Sequence, residues 1–238
     1  MSAISTRRAL LGAALAAATA GPALGGCSSS SDPEPGSRDD ATAQGSTTGT
    51  ASPDPAQAGQ AGQAGRVLLA YFSRAGENYH YGGRRNLTVG NTEVLARMIA
   101  GRIDCDVHRI EAADPYPDDY EATVARNVRE QNADARPAIA GSAPSIDSYD
   151  VVLLGSPIWN VRPPMIMWTF AEALDFTGRI VHPVVTYAVS GLGRAADDYG
   201  RACRGAAIGD GLAVLGETVA DADQQVATWL TRTGLHRG

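Results

Sequence analysis

The chain has 238 residues and a formal net charge of −6 at pH 7, and arginine supplies all 20 of its basic residues because the sequence contains no lysine. An acidic chain is a poor nucleic-acid binder, so we expect no nucleic-acid partner. The four histidines have no spacing typical of metal ligands, and we assign none of them to a metal.

Residues 1–26 resemble an export signal. Arg7 and Arg8 precede a short, alanine-rich apolar stretch, and this pair resembles the twin-arginine signal of the export route for folded proteins. The segment Leu24–Cys27 resembles a bacterial lipobox, in which Cys27 carries a lipid after cleavage. The alternative is an ordinary secretory signal with a chance cysteine. We expect an exported protein that a lipid on Cys27, and no other membrane contact, holds at the outer face of the cytoplasmic membrane.

Residues 27–65 are predicted to form a disordered tether. Between residues 28 and 65 there is no Val, Ile, Leu, Met or aromatic residue. Such a segment buries too little apolar surface to offset the entropy lost on ordering. The folded domain is therefore predicted at 66–238, where Cys105 and Cys203 are expected to be two separate thiols.

Apolar runs alternate with helical patterns throughout the predicted domain. We predict five strands, at 67–72, 106–112, 151–155, 180–187 and 213–219, and five helices, at 91–100, 118–131, 163–174, 194–204 and 221–232. Pro183 lacks an amide donor and is awkward for a central strand. The alternation predicts an α/β fold, a doubly wound parallel sheet with helices on both faces.

Polar or glycine-rich segments follow three of these strands, where ligands bind in such sheets. Ser73-Arg74 ends the first strand, and Gly90-Asn91-Thr92 begins the first helix, whose N-terminus suits a phosphate. The alternative is a helix cap without a ligand.

The other two segments suit a planar ring. Residues 155–160 place Trp159 on a loop, where a ring system could stack on it, unless it is a core tryptophan. Residues 186–193 form a glycine-rich turn that brings backbone amides close to a ligand.

Together these segments resemble the flavodoxin family, and in particular a bacterial branch with an insertion in the phosphate loop, here residues 75–89. The resemblance implies a strand order of 2-1-3-4-5 and FMN as the cofactor. It assigns the phosphate to Ser73, Asn91 and Thr92, and the flavin ring to Ser156, Pro157, Ile158, Trp159, Tyr187, Ser190 and Gly191. We add Asn160 and Gly193 of the same loops, Gly90, which lets the backbone approach the phosphate, and Arg74, whose charge departs from the neutral donors of the family but could pair with a phosphate dianion. Tyr79 and Tyr81 of the insertion either cover the flavin or are solvated; we favour the second.

A competing motif matches the dinucleotide fingerprint G-x-G-x-x-A at Gly191–Ala196, and it leaves an NAD(P)-binding α/β protein as an alternative. However, it follows the fourth strand, whereas the fingerprint normally follows the first.

The predicted function is an FMN-binding redox protein, either an electron carrier or a small oxidoreductase, with an unidentified protein or small molecule as its redox partner. We assign no catalytic residue, since one-electron transfer needs no acid or base. The alternative is a flavodoxin-fold binding lipoprotein without a cofactor.

Overall fold

The structure, a computed structural model, describes residues 65–236. The predicted signal, Cys27 and the tether up to residue 64 lie outside the described residues. Within 65–236, no helix combines the length and apolar character needed to cross a bilayer.

Eight strands and five α-helices follow one another along the described chain. The strands are β1 (Val67–Phe72), β2 (Gly76–His80), β3 (Gly83–Leu87), β4 (Asp106–Ile110), β5 (Val151–Pro157), β6 (Ile180–Tyr187), β7 (Ala207–Ile208) and β8 (Leu212–Leu215). The helices are α1 (Asn91–Ala100), α2 (Tyr120–Asn132), α3 (Met165–Glu172), α4 (Ala195–Ala202) and α5 (Asp223–Thr233), with a 3-10 helix at Gly216–Asp221.

Six of the strands form one parallel sheet in the order β4-β1-β5-β6-β7, with β8 also paired to β6. The predicted parallel α/β architecture is confirmed. The predicted count of five strands is wrong, because two short strands, β7 and β8, occupy the edge beside β6. The predicted strand at 213–219 is correspondingly too long, since Gly216 already begins the 3-10 helix.

Pro183 explains why the edge strand is divided. The carbonyl of Val181 faces β7, where it accepts a hydrogen bond from the Gly209 amide at 2.9 Å. Alternate residues of a strand share a side, so Pro183 faces the same neighbour but has no amide to donate. Pairing therefore stops at Val181 and resumes at Val184, opposite Leu212.

The two faces of the sheet are both buried. Along β1, Leu68, Ala70 and Phe72 point to the core that α3 and α4 cover, whereas Leu69 and Tyr71 point to the core that α1 and α5 cover. Cys105 and Cys203 are thiols; Cys203 belongs to the first core, and burial raises the pKa of its thiol to about 12.

Helix α2 is the exception, because it contributes no buried apolar side chain to either core. Its buried residues are Thr123 and Asn127. The amide of Tyr120 at its beginning donates to Glu77 Oε2 at 3.2 Å, and Gln131 near its end donates from Nε2 to the carbonyl of Trp159 at 3.1 Å. Helix α2 thus connects two of the segments that surround the predicted site.

The insertion at 75–89 forms a β-hairpin, β2–β3, whose strands are not among the five predicted from the sequence. Its two-residue turn is Tyr81-Gly82, with φ of 47° and 83°, as a type I′ turn requires. The Glu77 amide donates to the carbonyl of Asp118 at 2.8 Å, which ties the hairpin to the segment before α2.

Candidate functional site

One cavity of about 530 Å³ lies at the carboxyl ends of β1, β5 and β6. The strand-end loops and the start of α1 form its inner side, and the hairpin and α2 form its outer side. Ten of the predicted site residues line it: Ser73, Arg74, Asn91, Thr92, Pro157, Ile158, Trp159, Asn160, Tyr187 and Ser190. Four others, Gly90, Ser156, Gly191 and Gly193, do not line this cavity in the described structure.

Gly90 brings the end of β1 against the start of α1. A Cβ at this position would overlap Ser73 Oγ and the carbonyl oxygen of Arg74. This approach lets Ser73 Oγ accept the Glu93 amide at 3.0 Å, which supplies the helix cap that Gly90 cannot provide. Ser73 therefore caps the start of α1, where a phosphate would bind. Gly90 contributes by leaving room for the hydrogen bond between Ser73 and the Glu93 amide.

Thr92 connects α1 to β6. Its hydroxyl lies 2.7 Å from Thr186 Oγ1, and both side chains are buried. The pair occupies the floor of the cavity between the first and third predicted loops. Thr92 thus has a hydrogen-bond partner within the protein, which the sequence did not reveal.

The start of α1 is suited to an anion. The first amides of a helix have no partner within the helix, and its dipole favours negative charge there. The one acidic side chain of this turn, Glu93, is directed away from the cavity: its carboxylate pairs with Arg97 and, at 2.8 Å, with Arg109. Asn91 lines the cavity and adds a side-chain amide.

Arg74 ties the hairpin to the site. Its Nη1 donates to the carbonyls of Pro117 at 2.8 Å and Asp118 at 3.1 Å, and its Nη2 donates to the carbonyl of Glu77. Its Nε is buried and has no partner among the described residues. Burial lowers the pKa of the Arg74 guanidinium, although the nearby carboxylates, first Asp118, act in the opposite direction.

Trp159 is held by two other aromatic rings. Phe72 lies edge-to-face with it at 5.8 Å between ring centroids, and Tyr116 does so at 5.1 Å. The backbone of Trp159 also pairs with Arg162 in both directions. Trp159 is therefore packed against the core and also lines the cavity. It is a core tryptophan in part, and its stacking on a ring system stays a prediction.

The tryptophan loop, residues 158–162, has a strained backbone. Asn160 and Val161 have φ of 49° and 63°, a region that a β-branched residue such as Val161 rarely adopts. The Val161 carbonyl accepts the Arg194 amide at 2.8 Å, and a Cβ on Gly193 would overlap that same carbonyl. Gly193 therefore has a packing reason for being glycine, and the G-x-G-x-x-A stretch supports this loop.

A buried ion pair holds the end of the tryptophan loop. Arg162 donates from Nε and Nη2 to the two carboxylate oxygens of Asp198, at 2.9 and 3.0 Å, and Asp198 on α4 is 1% exposed. Such bidentate pairs fix geometry as well as contributing energy.

Ser156 lies beneath the site and does not face the cavity. It is fully buried and accepts a hydrogen bond from the Tyr199 hydroxyl at 3.1 Å. Burial raises the pKa of Tyr199 far above its ordinary value, so this phenol remains a donor. The hydroxyl of Ser156 therefore hydrogen-bonds to α4, and the contact of this residue with the flavin ring stays a prediction.

A family model described as flavodoxin matches residues 85–233. The chain belongs to the flavodoxin family. This confirms the family that the sequence motifs suggested, whereas the lipid anchor and the role of the insertion stay predictions.

Solved structures agree with this family. A protein from Bacteroides uniformis, assigned as a flavoprotein, is 26% identical with a TM-score of 0.56 and covers 71% of this chain and 99% of that chain. A similarly assigned protein from Bacteroides eggerthii is 26% identical with a TM-score of 0.56 and covers 71% and 98%. The Lactobacillus acidophilus flavoprotein in complex with FMN is 16% identical with a TM-score of 0.50, covers 70% and 99%, and shares the fold. No curated protein matches the chain.

Sequence reasoning missed the outer side of the cavity. The additional lining residues are Asn78 and Tyr79 of the hairpin, Tyr120, Thr123, Val124, Asn127 and Val128 of α2, and Val161, Thr186, Ala188, Val189, Gly216 and Glu217 of loops and strand ends. The spacing of Tyr120, Val124 and Val128 by four predicted a helix, but nothing in it indicated that this face borders a cavity. Tyr79 lines the cavity, contrary to the solvated position favoured from the sequence, whereas Tyr81 is 64% exposed.

We predict that Gly90→Ala lowers the free energy of unfolding by about 1–3 kcal/mol, because the added methyl group forces Ser73 and Arg74 away from α1. Urea denaturation measures this change. The control is Gly200→Ala in α4, where the new Cβ would lie 3.6 Å from Ile208 Cγ1. It should be neutral or stabilising by up to about 1 kcal/mol. Equal losses in both variants would contradict the assignment.

Arg162→Gln is expected to lower the free energy of unfolding by about 1–3 kcal/mol, since Asp198 would remain buried without its bidentate partner. Arg201 at 3.5 Å and Arg194 at 4.0 Å would offset only part of the charge of Asp198. The loop should loosen as well. Because Arg162 also lies over the Trp168 ring at 5.6 Å, the emission is compared in a Trp168→Phe background, where it should shift to longer wavelength as Trp159 becomes more hydrated. Arg66→Gln, which removes an exposed pair with Asp106, serves as the control and should change neither quantity noticeably. The two variants behaving alike would argue against a positioning role for Arg162.

Proposed function

We propose that the described domain is an FMN-binding redox protein that acts as an electron carrier or as a small FMN-dependent oxidoreductase. FMN is the cofactor, as supported by the family and by an FMN complex with the same fold. The observation that carries the proposal is that the start of α1 and Trp159 face the same cavity.

The residues at one end of the cavity fit a phosphate. The amides at the start of α1, the Asn91 side chain and the buried Nε of Arg74 are all donors. Because the Nη atoms of Arg74 already bind backbone carbonyls, its guanidinium would add positive charge at a fixed position. Cation and donors together suit a dianion.

The residues at the other end fit a planar ring. Trp159 and Tyr187 come from loops after β5 and β6, and Pro157 and Ile158 add apolar surface between the strands. When bound, FMN supplies the electron chemistry. The chain binds and orients the ring, and Phe72 and Tyr116 keep Trp159 in place for that purpose.

The purified protein is expected to bind FMN, and Trp159→Ala to weaken that binding by about tenfold or more, because a ring loses its stacking and burial partner. Fluorescence titration of the apoprotein with FMN measures both. Trp168→Ala is the matched control, since Trp168 is a half-buried tryptophan outside the cavity lining, and its affinity for FMN should match that of the wild type.

Absence of FMN uptake by the wild-type protein would refute the redox proposal and favour a cofactor-free binding lipoprotein of the same fold. Unchanged affinity in Trp159→Ala would leave FMN binding intact but remove the stacking role.

We further propose that the protein is exported folded and held by a lipid at the outer face of the cytoplasmic membrane. The support lies in the sequence alone: Arg7-Arg8, the Leu24–Cys27 segment and the apolar-free stretch after it. An export route for folded proteins would allow FMN to be inserted before transport.

Replacing both Arg7 and Arg8 by Lys should abolish export, as judged by cell fractionation, whereas Arg38→Lys in the predicted tether should not. Cys27→Ala should move the protein from the membrane fraction to the soluble fraction. Normal export of the double-lysine variant would exclude the twin-arginine route, and membrane retention of Cys27→Ala would exclude the lipid anchor.

A further inference from the structure

Helix α2 presents apolar side chains to the cavity. We call Tyr120, Val124 and Val128 the α2 face; all three line the cavity, and the two valines are 37% and 40% exposed. Thr123 and Asn127, which line the same cavity, are polar and are the buried side chains of the helix. A surface helix normally buries its apolar stripe and exposes its polar residues, so the arrangement in α2 is reversed.

Other exposed apolar side chains gather around the same opening. Of seven large apolar side chains that are exposed in the described chain, four line the cavity: Val124, Val128, Val161 and Val189. Val161 is 49% exposed and Val189 is 83% exposed. Exposed apolar groups that cluster in one concavity, in contrast to scattered ones, indicate a binding surface.

The same region offers no free charge to a ligand. Arg74 and Glu217 are the charged residues of the described cavity lining. Arg74 lies at the phosphate end, and Glu217 Oε1 accepts the Tyr81 amide at 3.3 Å. Arg84 lies over the Tyr120 ring at 3.7 Å, but it is paired with Glu121 at 2.8 Å and is not among the lining residues. A nicotinamide dinucleotide or another phosphorylated compound would therefore meet no unpaired cation of the described chain beside the α2 face. The chemistry there favours an uncharged ligand.

None of the α2 face belongs to the three strand-end loops that would hold FMN. We infer that the α2 face, together with Tyr79, forms a second subsite for an uncharged planar ring compound of quinone type, beside the FMN position. This inference rests on the proposed function, because the second ligand would exchange electrons with the flavin only if FMN is bound. Tyr79 and the face of Tyr120 that Arg84 leaves uncovered offer aromatic surface to such a ring, and the valines exclude water from it.

The test uses the full chain loaded with FMN. The probe is menadione, an uncharged two-ring quinone. Menadione should bind to the oxidised holoprotein and perturb the visible absorbance of its FMN. The sulfonated analogue 1,4-naphthoquinone-2-sulfonate should bind far more weakly. The double variant Val124→Thr, Val128→Thr keeps the side-chain shape but adds two hydroxyls, and it should weaken menadione binding by about tenfold.

Val107→Thr is the matched control, because Val107 is 52% exposed on β4 and does not line the cavity. It should bind menadione as the wild type does, and every variant should retain the wild-type affinity for FMN. The first titration, with FMN alone, separates the two proposals. A chain that takes up no FMN overturns the proposed function and this inference with it.

Three results would overturn the inference while FMN binding stands. The holoprotein could fail to bind menadione, or the double threonine variant could bind it as tightly as the wild type does. Equal loss of FMN and menadione affinity in that variant would show that the α2 face holds FMN itself. Tight binding of the sulfonate would overturn the argument from charge.

Discussion

The close approach of β1 to α1 is the constraint on which the rest of the site depends. It requires that residue 90 carry no Cβ, so that Ser73 Oγ can reach the Glu93 amide. With the helix start fixed in this way, Thr92 meets Thr186 and ties α1 to β6. The first amides of α1 then face the same space as the loops after β5 and β6. One packing contact, between Gly90 and Ser73, therefore helps to bring the phosphate donors and the ring-lining residues together.

The same constraint explains how the chain tolerates an insertion. Because Ser73 and Gly90 are in contact, residues 75–89 leave and return at nearly one point. A hairpin satisfies that condition, since its ends lie side by side. An isolated two-stranded hairpin is only marginally stable in water. The side chain of Arg74 and the backbone of Glu77 connect this hairpin to Pro117 and Asp118, and an ion pair joins Arg84 to Glu121.

Periodicity in the sequence predicted the buried strands and the loops after them, and most of the inner side of the cavity follows from those loops. Periodicity failed where the outcome depends on the side to which a residue points or on which strands pair in the tertiary structure. The apolar run ends at Gly155 and so predicts that the strand ends there, with Ser156 in the following loop. In the structure, β5 continues to Pro157. Strand alternation then places Ser156 on the same face as Val152 and Leu154, beneath α4.

The outer side of the cavity could not be predicted from the sequence, for a related reason. A spacing of four in Tyr120, Val124 and Val128 fixes which side chains share a face of α2, but it does not say what that face meets. Pro183 shows the same limit, since its missing amide was recognised but the division of the neighbouring edge strand depends on which side of β6 the residue faces.

The two sides of the cavity also differ in how firmly they are held. Positive φ at Asn160 and Val161 costs on the order of 1–3 kcal/mol each, and such strain persists only where the surroundings fix the backbone. Here the Arg162–Asp198 pair and the packing of Gly193 against Val161 provide that support. On the outer side, Arg126 and Glu130 of α2 form an ion pair at 2.7 Å whose side chains are 14% and 11% exposed, whereas the Arg84–Glu121 pair of the hairpin is largely exposed. The tryptophan loop is thus preorganised, and α2 is anchored by its own ion pair and by the Tyr116 hydroxyl, which donates to Glu130 at 2.7 Å. The hairpin is the part of the outer side that can adjust with the least loss of packing.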